Sequence, residues 1–159
     1  MGFEGDGGPA TRASLWYPEA VDVDDSGNLY IADTWNDRIR VVNPSTGIIR
    51  TIAGNGKADF AGDGGQATAA SLDTPKGVRV DANGLLWIAD FGNDRIRRVN
   101  LRTGVITTVA GADEDVLDNY PATQTGLDGP TATLSDAAGN LYIVEGWGSR
   151  IRAVRGPIP

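Results

Sequence analysis

The feature that most constrains this chain is an internal repeat. The sequence NLYIADTWNDRIR at residues 28–40 returns as LLWIADFGNDRIR at residues 85–97 and, altered, as NLYIVEGWGSRIR at residues 140–152. A shift of 57 residues aligns residues 14–54 with residues 71–111, and 24 of these 41 positions are identical. A repeat of this length indicates that one supersecondary unit is stacked several times.

The repeat divides the chain into three units within one domain that spans residues 1–159. We place the first repeat at residues 2–54, the second at 55–111 and the third at 112–159. The third repeat departs from the pattern, since Glu145 stands in the place of an Asp and Gly148 in the place of an Asn. The upstream GDGG segment of the first two repeats survives in the third only as DNYPAT.

Short runs rich in Val, Ile, Tyr and Thr predict β-strands in every repeat. In the first repeat they cover residues 21–24, 29–33, 38–43 and 48–53, separated by Gly-, Asn- and Pro-containing turns. In the second repeat, Asn83-Gly84 predicts a two-residue hairpin turn. The third repeat supplies only three strands, because no G-x-I-x-T-x-A-G segment follows residue 152.

The second strand of each repeat carries apolar side chains on both faces, as in Leu29, Tyr30, Ile31 and Ala32. A free-standing antiparallel sheet would leave one face in water, so both faces must be covered. Four-stranded sheets packed face to face around an axis meet this requirement. We therefore predict an all-β fold, a β-propeller with one blade per repeat, whose last blade lacks its fourth strand.

The repeats resemble the NHL-repeat family of β-propellers, particularly bacterial arrays that read GDGGPAT, then GNLYIAD, then RIR and a closing G-x-I-x-T-x-A-G. The resemblance implies a ring of about six blades. Three blades cannot surround an axis, so we predict that two chains pair through a two-fold axis as a homodimer. Such an interface should be apolar and bury more than roughly 2,000 Å². An excised fragment of a longer propeller, or a designed chain, is the alternative.

The composition excludes several classes of function. Fourteen basic against 21 acidic residues give a net charge of −7, which disfavours nucleic acid and anionic membranes as partners. With no Cys and no His there is neither a disulfide nor a thiolate or imidazole ligand. No apolar run approaches the roughly 20 residues that span a bilayer. The start of the chain has no signal-peptide pattern, so the localisation stays open, with a secreted bacterial parent protein as one expectation.

The candidate binding residues lie on the predicted face that carries the elbow between the second and third strands and the linker between blades. They are the elbow aromatics and two acids of the last linker: Trp35, Phe91, Trp147, Asp113 and Asp115. Aromatic rings beside carboxylates suit a carbohydrate, a cationic group, a peptide or a protein ligand. The alternative is that the aromatic rings pack between blades and that the acids, including Glu114 and Asp118, are solvated.

An acid and an arginine recur at fixed spacing in every repeat. The pairs are Asp33 with Arg38, Asp90 with Arg95, and Glu145 with Arg150. A catalytic site is usually unique, whereas a structural contact recurs with its repeat. We therefore predict that the acid caps the elbow and that the arginine fastens the blade by binding the carboxylate or backbone carbonyls.

No catalytic residue and no metal site is predicted. Asp22, Asp24 and Ser26 mimic the spacing of a calcium loop, but strands flank them where such a loop requires helices. The favoured function is a non-enzymatic scaffold or binding module that associates with itself. The alternative is a propeller-type hydrolase or lyase with a carboxylate-bound metal, such as calcium, in the central channel. The resemblance implies histidine ligands for such enzymes, and this chain has no histidine.

Overall fold

The computed structural model describes residues 2–113 and 119–156, which form three antiparallel sheets. The first sheet contains β1 (Ala20–Val23), β2 (Leu29–Asp33), β3 (Arg38–Val42) and β4 (Ile49–Ala53). The second contains β5 (Pro75–Val80), β6 (Leu85–Asp90), β7 (Arg95–Asn100) and β8 (Ile106–Ala110). The third contains β9 (Pro130–Ser135), β10 (Leu141–Glu145) and β11 (Arg150–Val154). Each strand pairs with its neighbour in the chain, which confirms the predicted blades and the three-stranded third sheet.

Short 3-10 helices lie in the linkers and elbows. They span Ala10–Arg12, Thr34–Asn36, Ala67–Ala69, Phe91–Asn93 and Ala122–Gln124. None of these turns, in the part of the chain that is described, has the length or apolarity needed to cross a bilayer.

The blades pack face to face, with β1 against β5 and β5 against β9. The sheet of the second repeat is covered on both sides. Leu86 and Ile88 of β6 join the apolar core shared with the first blade, whereas Trp87 and Ala89 join the core shared with the third. This arrangement confirms that a strand which is apolar on both faces requires a neighbour on each side.

The turn between β5 and β6 is longer than the two-residue hairpin that Asn83-Gly84 predicts. It spans residues 81–84, and only Gly84 of the dipeptide has a positive φ, at 73°. The carboxylate of Asp81 accepts the N–H groups of Asn83 and Leu85 at 2.9 and 3.0 Å. An Asp that bonds to the backbone two and four residues later thus builds a four-residue turn.

Hydrogen bonds also cross from one blade to the next. The Asp37 carboxylate accepts the N–H of Thr74 at 2.9 Å, and Asp94 accepts that of Gly129 at 2.8 Å. Both acids end an elbow, and both donors lie just before the first strand of the following blade. This contact therefore fixes each elbow to the next linker at both seams.

Candidate functional site

The elbow between the second and third strands ends in the same way in all three repeats. Its last residue is a non-glycine residue in the left-handed region: Asp37 at φ 52°, Asp94 at 51° and Ser149 at 50°. In the first repeat, the N–H of Asp37 closes the turn on the carbonyl of Thr34 at 3.2 Å. Asp favours this region more than most residues because its short polar side chain bonds locally.

The buried acid of the first repeat binds Arg40, and not Arg38 as the spacing predicts. Asp33 has no exposed surface and accepts hydrogen bonds from the N–H of Trp16 at 2.7 Å and from Arg40 at 3.3 Å. Arg38 instead donates to two backbone carbonyls, those of Asn36 and Asn55, each at 2.8 Å. The binding of backbone carbonyls is the other role that the repeat predicts for this arginine.

The second repeat has the same geometry. Asp90 is buried and bonds to Arg97 at 3.2 Å and to the amide of Asn93 at 2.9 Å, whereas Arg95 donates to a carbonyl. Burial raises the pKa of Asp90 to about 6, although the hydrogen bonds from Asn93, Asp73 and Arg97 oppose this shift.

The third repeat does pair its acid with the predicted arginine. One oxygen of the buried Glu145 accepts the N–H of Asp128 at 2.9 Å, and the other accepts the Nε atoms of Arg150 and Arg152. In the first two repeats an elbow Asn holds the second carboxylate oxygen. Gly148 replaces that Asn, so the longer Glu side chain and Arg150 together take over its contact.

The GDGG segment contributes a second acid, Asp6, that the spacing of the predicted pairs does not indicate. Asp6 binds Arg40 at 2.7 Å through one oxygen and the N–H of Thr51 at 3.0 Å through the other. Beside it, the N–H of Gly7 donates to the carbonyl of Ile49 at 2.8 Å. The segment therefore covers the outer edge of β4, and residues 62–65 cover β8 in the same way through Asp63. The recurrence of GDGG at residues 5–8 and 62–65, at the same distance before each four-stranded sheet, was the available signal.

Trp35 belongs to an aromatic cluster of the first repeat. It is 48% exposed, stacks on Tyr17 with centroids 5.0 Å apart, and meets Trp16 edge-on at 5.4 Å. Tyr17 has a φ of 52°, which is unusual for a bulky residue. The contacts place the elbow and the linker on one face, as their strand directions predict.

Phe91 and Trp147 form a separate pair at the seam between the second and third blades. Their centroids lie 4.6 Å apart in an edge-on arrangement, and Lys76 Nζ lies 3.7 Å from the centroid of Phe91. Phe91 is buried, whereas Trp147 is 67% exposed. The three elbow aromatics therefore do not form one surface: one cluster contains Trp35, and this pair fills a seam.

The acidic residues of the last linker are only partly described. Asp113 is exposed and forms an ion pair with Arg95 at 2.8 Å. Asp115, Glu114 and Asp118 lie outside the described residues. Phe60 stacks on the same arginine, with its centroid 3.9 Å from the guanidinium carbon. Asp113 thus contacts the second blade through Arg95, whereas the Trp35 cluster belongs to the first repeat.

The sequence that mimics a calcium loop is a turn whose acid is already saturated. Asp24 accepts the N–H groups of Ser26 and Asn28 and the hydroxyl of Tyr30, the last at 3.0 Å. Burial acts to raise the pKa of Asp24, but the hydrogen bonds from Asn28 and Tyr30 outweigh it and lower the pKa. Within residues 2–113 and 119–156, no group of three acidic side chains is placed to hold a metal ion.

Comparison with known sequences identifies the same repeat. The teneurin NHL domain model matches residues 55–126, and the NHL repeat model matches residues 15–42. The chain is 38% identical over 100 residues to NHL repeat-containing protein 2 of Gallus gallus, covering 61% of the chain and 13% of that protein. It is 30% identical over 141 residues to teneurin-3 of Mus musculus, covering 76% of the chain and 5% of that protein. The chain thus spans a small part of these relatives.

Solved structures share the fold at low identity. A protein of unknown function from Bacteroides thetaiotaomicron matches with a TM-score of 0.71 at 24% identity, over 91% of this chain and 35% of that one. An auxiliary nutrient binding protein from the same organism gives 0.68 at 18%, over 89% and 38%. Virginiamycin B lyase from Staphylococcus aureus gives 0.52 at 16%, over 88% and 41%. Repeat, blade topology and family models agree, and the chain belongs to the NHL-repeat family.

Proposed function

We propose that this chain is a non-enzymatic binding module that completes a propeller ring by pairing with a second copy. The observation that carries the proposal is a difference between identical residues. Val21 of β1 is 63% exposed, whereas its counterpart Val78 of β5 is 8% exposed because the first blade covers it. Exposed apolar sheet of this kind favours association.

The opposite end of the chain supports the same proposal. Ile151 is 70% exposed, whereas its counterpart Ile96, on the face that the third blade covers, has no exposed surface. Tyr142 and Val144 are exposed beside it. Within the chain, this face of each blade packs against the face of the next blade that carries Val78. Two copies related by a two-fold axis would repeat that contact twice and close six blades.

The Trp35 cluster is the part of the module that we assign to ligand binding, with a peptide, protein or carbohydrate as the ligand. At the seam between the second and third blades, Phe91 meets Trp147 edge-on. At the seam between copies, Gly146 takes the place of Phe91 and Trp35 that of Trp147. A glycine offers no ring to fill this recess, so the ring faces of Trp35 and Tyr17 that are not stacked on each other would stay available to a ligand after the ring closes.

The mass in solution tests the proposal. Light scattering coupled to size exclusion should give twice the chain mass of 16.7 kDa. Ile151→Asp should reduce the mass to that of one folded chain, because it places a carboxylate in the apolar seam. Ser45→Asp, in an exposed turn of the first blade, is the control and should leave the mass doubled. A wild-type species that stays folded at the mass of one chain would overturn the proposal.

The enzymatic alternative predicts a metal in the channel of the closed ring. A histidine-to-alanine variant of virginiamycin B lyase is catalytically inactive, and the present chain contains no histidine to serve that role. A carboxylate site for calcium would have to form between copies. Calorimetric titration with calcium separates the two: saturable heat with a stoichiometry of one or two ions per dimer would favour the enzyme.

A further inference from the structure

The elbow of the third blade carries an indole that is held on one side and open to water on the other. Trp147 is 67% exposed, although it meets the ring of Phe91 at a centroid distance of 4.6 Å. Gly129 of the preceding linker lies against the same indole, because a Cβ there would stand 3.1 Å from Trp147 Cδ2 and 3.2 Å from its Cε3. These contacts fix the position of the ring, and its exposed surface forms a flat apolar platform.

Lys76 of β5 places a positive charge beside these rings. Its Nζ lies 3.7 Å from the centroid of Phe91, so Phe91 contacts both the ammonium and the indole. Among residues 2–113 and 119–156, no carboxylate lies within 4.0 Å of this Nζ. A cation–π contact at a partly exposed site contributes only about 0.5–1 kcal/mol, so the ammonium can also pair with an anion. The net charge of −7 opposes an anion weakly, since salt screens charges beyond roughly 8 Å at physiological ionic strength.

This group of residues does not recur, unlike the acid–arginine contacts. At the seam between the first two blades, its counterparts carry no ring and no positive charge: Glu19, Thr34 and Gly92. That seam is closed locally, because the hydroxyl of Thr34 donates to the carbonyl of Pro75 at 2.9 Å. A structural contact recurs with its repeat, whereas a binding site is usually unique. The cation and the two rings therefore meet the expectation for a site.

The backbone beside Trp147 favours a small ring-shaped ligand over a peptide. The N–H groups of Gly146 and Gly148 donate to the carbonyls of Gly129 and Asp128, at 2.8 and 3.3 Å. An extended peptide gains its affinity from such backbone groups, and these are already engaged. A ligand on the open indole keeps its outer face in water, so it requires one apolar and one polar face. A pyranose sugar has both faces, and a hexuronate adds a carboxylate for the ammonium.

We propose that Trp147, Phe91 and Lys76 form a binding site for an acidic sugar, a hexuronate unit of a polysaccharide. The indole of Trp147 takes the apolar C–H face of the pyranose ring. The ammonium of Lys76 donates charge-assisted hydrogen bonds to the carboxylate of the sugar. Phe91 holds the cation and the indole side by side. The site is separate from the Trp35 cluster and does not depend on closure of the ring, so either proposal can fail alone.

Titration of the full chain with methyl glucuronide tests the site. The indole N–H signal of Trp147, assigned from its absence in Trp147→Phe, should shift saturably in nitrogen–proton correlation NMR spectra. Methyl glucoside has the same ring without the carboxylate and should bind roughly three- to fivefold more weakly, as expected for one exposed ion pair. Sodium acetate, which has the carboxylate without the ring, should leave the signal in place. Saturable shifts of equal size with acetate would overturn the proposal.

Variants of the two lysines give an independent measurement. Lys76→Gln should reduce the affinity for the glucuronide to that for the glucoside. Lys57→Gln changes the other lysine of the chain and should leave the affinity for the glucuronide unchanged. Trp35→Ala should also leave it unchanged, which separates this site from the Trp35 cluster. Absence of a saturable shift at Trp147, or equal weakening by both lysine variants, would contradict the proposal. The comparison of the two sugars uses the wild type and decides the outcome even if a variant does not fold.

Discussion

The seam between the first two blades and the uncovered faces at the two ends of the chain carry equivalent side chains. Val78 is buried and Val21 is exposed, although both occupy the same position of the repeat. Both form their backbone ladders, Val78 with Ile88 and Val21 with Ile31. The difference shows that a blade makes its own hydrogen bonds but depends on its neighbour for burial, which is the larger stabilising contribution.

Removal of the buried acids tests how far this dependence extends. Asp90→Ala removes one of the two carboxylates that bind the fully buried Arg97, leaving Asp63 at 2.7 Å, and should reduce the free energy of unfolding by about 3–5 kcal/mol. Asp33→Ala should lower it by a similar amount, because Arg40 is equally buried and keeps Asp6 at 2.7 Å. Urea denaturation of both variants measures the two losses; a much smaller loss for Asp33→Ala would show that the neighbouring blade strengthens the pair of the second repeat.

Truncation of matched isoleucines compares the two environments directly. Ile96→Ala should reduce the free energy of unfolding by about 2–5 kcal/mol, as expected for a buried side chain. Ile151→Ala should change that of an isolated chain by less than about 0.5 kcal/mol. Denaturation at several protein concentrations completes the test. If the ring closes, the Ile151→Ala effect should grow with concentration, and a concentration-independent result would argue against closure.

The pH dependence of stability examines the buried seam alone. The pKa of Asp90 is about 6 in the folded chain, above its usual value of about 3.9 when unfolded. Folding therefore takes up a proton between these values, and this contribution to stability is present at low pH and is lost as the pH rises through about 6. Relative to Asp90→Asn, the wild type should lose roughly 2–3 kcal/mol between pH 4 and pH 7. A difference that is flat with pH would contradict the assignment.

The smallest expected loss of stability comes from the close approach of β5 and β9 at the seam between the second and third blades. A Cβ at Gly77 would collide with the carbonyl oxygen of Thr131 in the third blade. Gly77→Ala should therefore destabilise the seam by about 1–3 kcal/mol through overpacking. Gly47→Ala is the control, since its Cβ would meet nothing within 4 Å and only its φ of 66° is unfavourable. Thermal unfolding should separate the two variants.

Much of the fold could be predicted from the repeat. The strands, the propeller blades and the incomplete third sheet follow from hydrophobic pattern and turn residues. The hairpin at Asn83-Gly84 could not, because Asp81 captures two N–H groups and lengthens the turn. The preference of Asn-Gly for a two-residue turn takes no account of a side chain, here Asp81, that precedes the dipeptide and bonds to its backbone.

The site was predicted less well, for two different reasons. Arg38 and Arg40 share one face of β3, and both can reach Asp33, so spacing alone cannot choose between them. The choice depends on Asp6, which arrives from far upstream and holds Arg40. The different positions of Trp35 and Phe91, by contrast, could be read from the sequence. Phe91 aligns with Thr34 and not with Trp35, and this offset of one residue indicates that the two rings have different surroundings.

The hydrogen bond from Asp37 to Thr74, repeated from Asp94 to Gly129, has a consequence for how such chains arise. The first two repeats contain the acceptor for the repeat that follows, and the second and third contain the donor for the one that precedes; Ser149 stands at the acceptor position of the third. Tandem duplication of one gene segment therefore adds a blade together with a complete joint, without new compensating changes. Blade number is then a property of the assembled ring, and no single repeat encodes it.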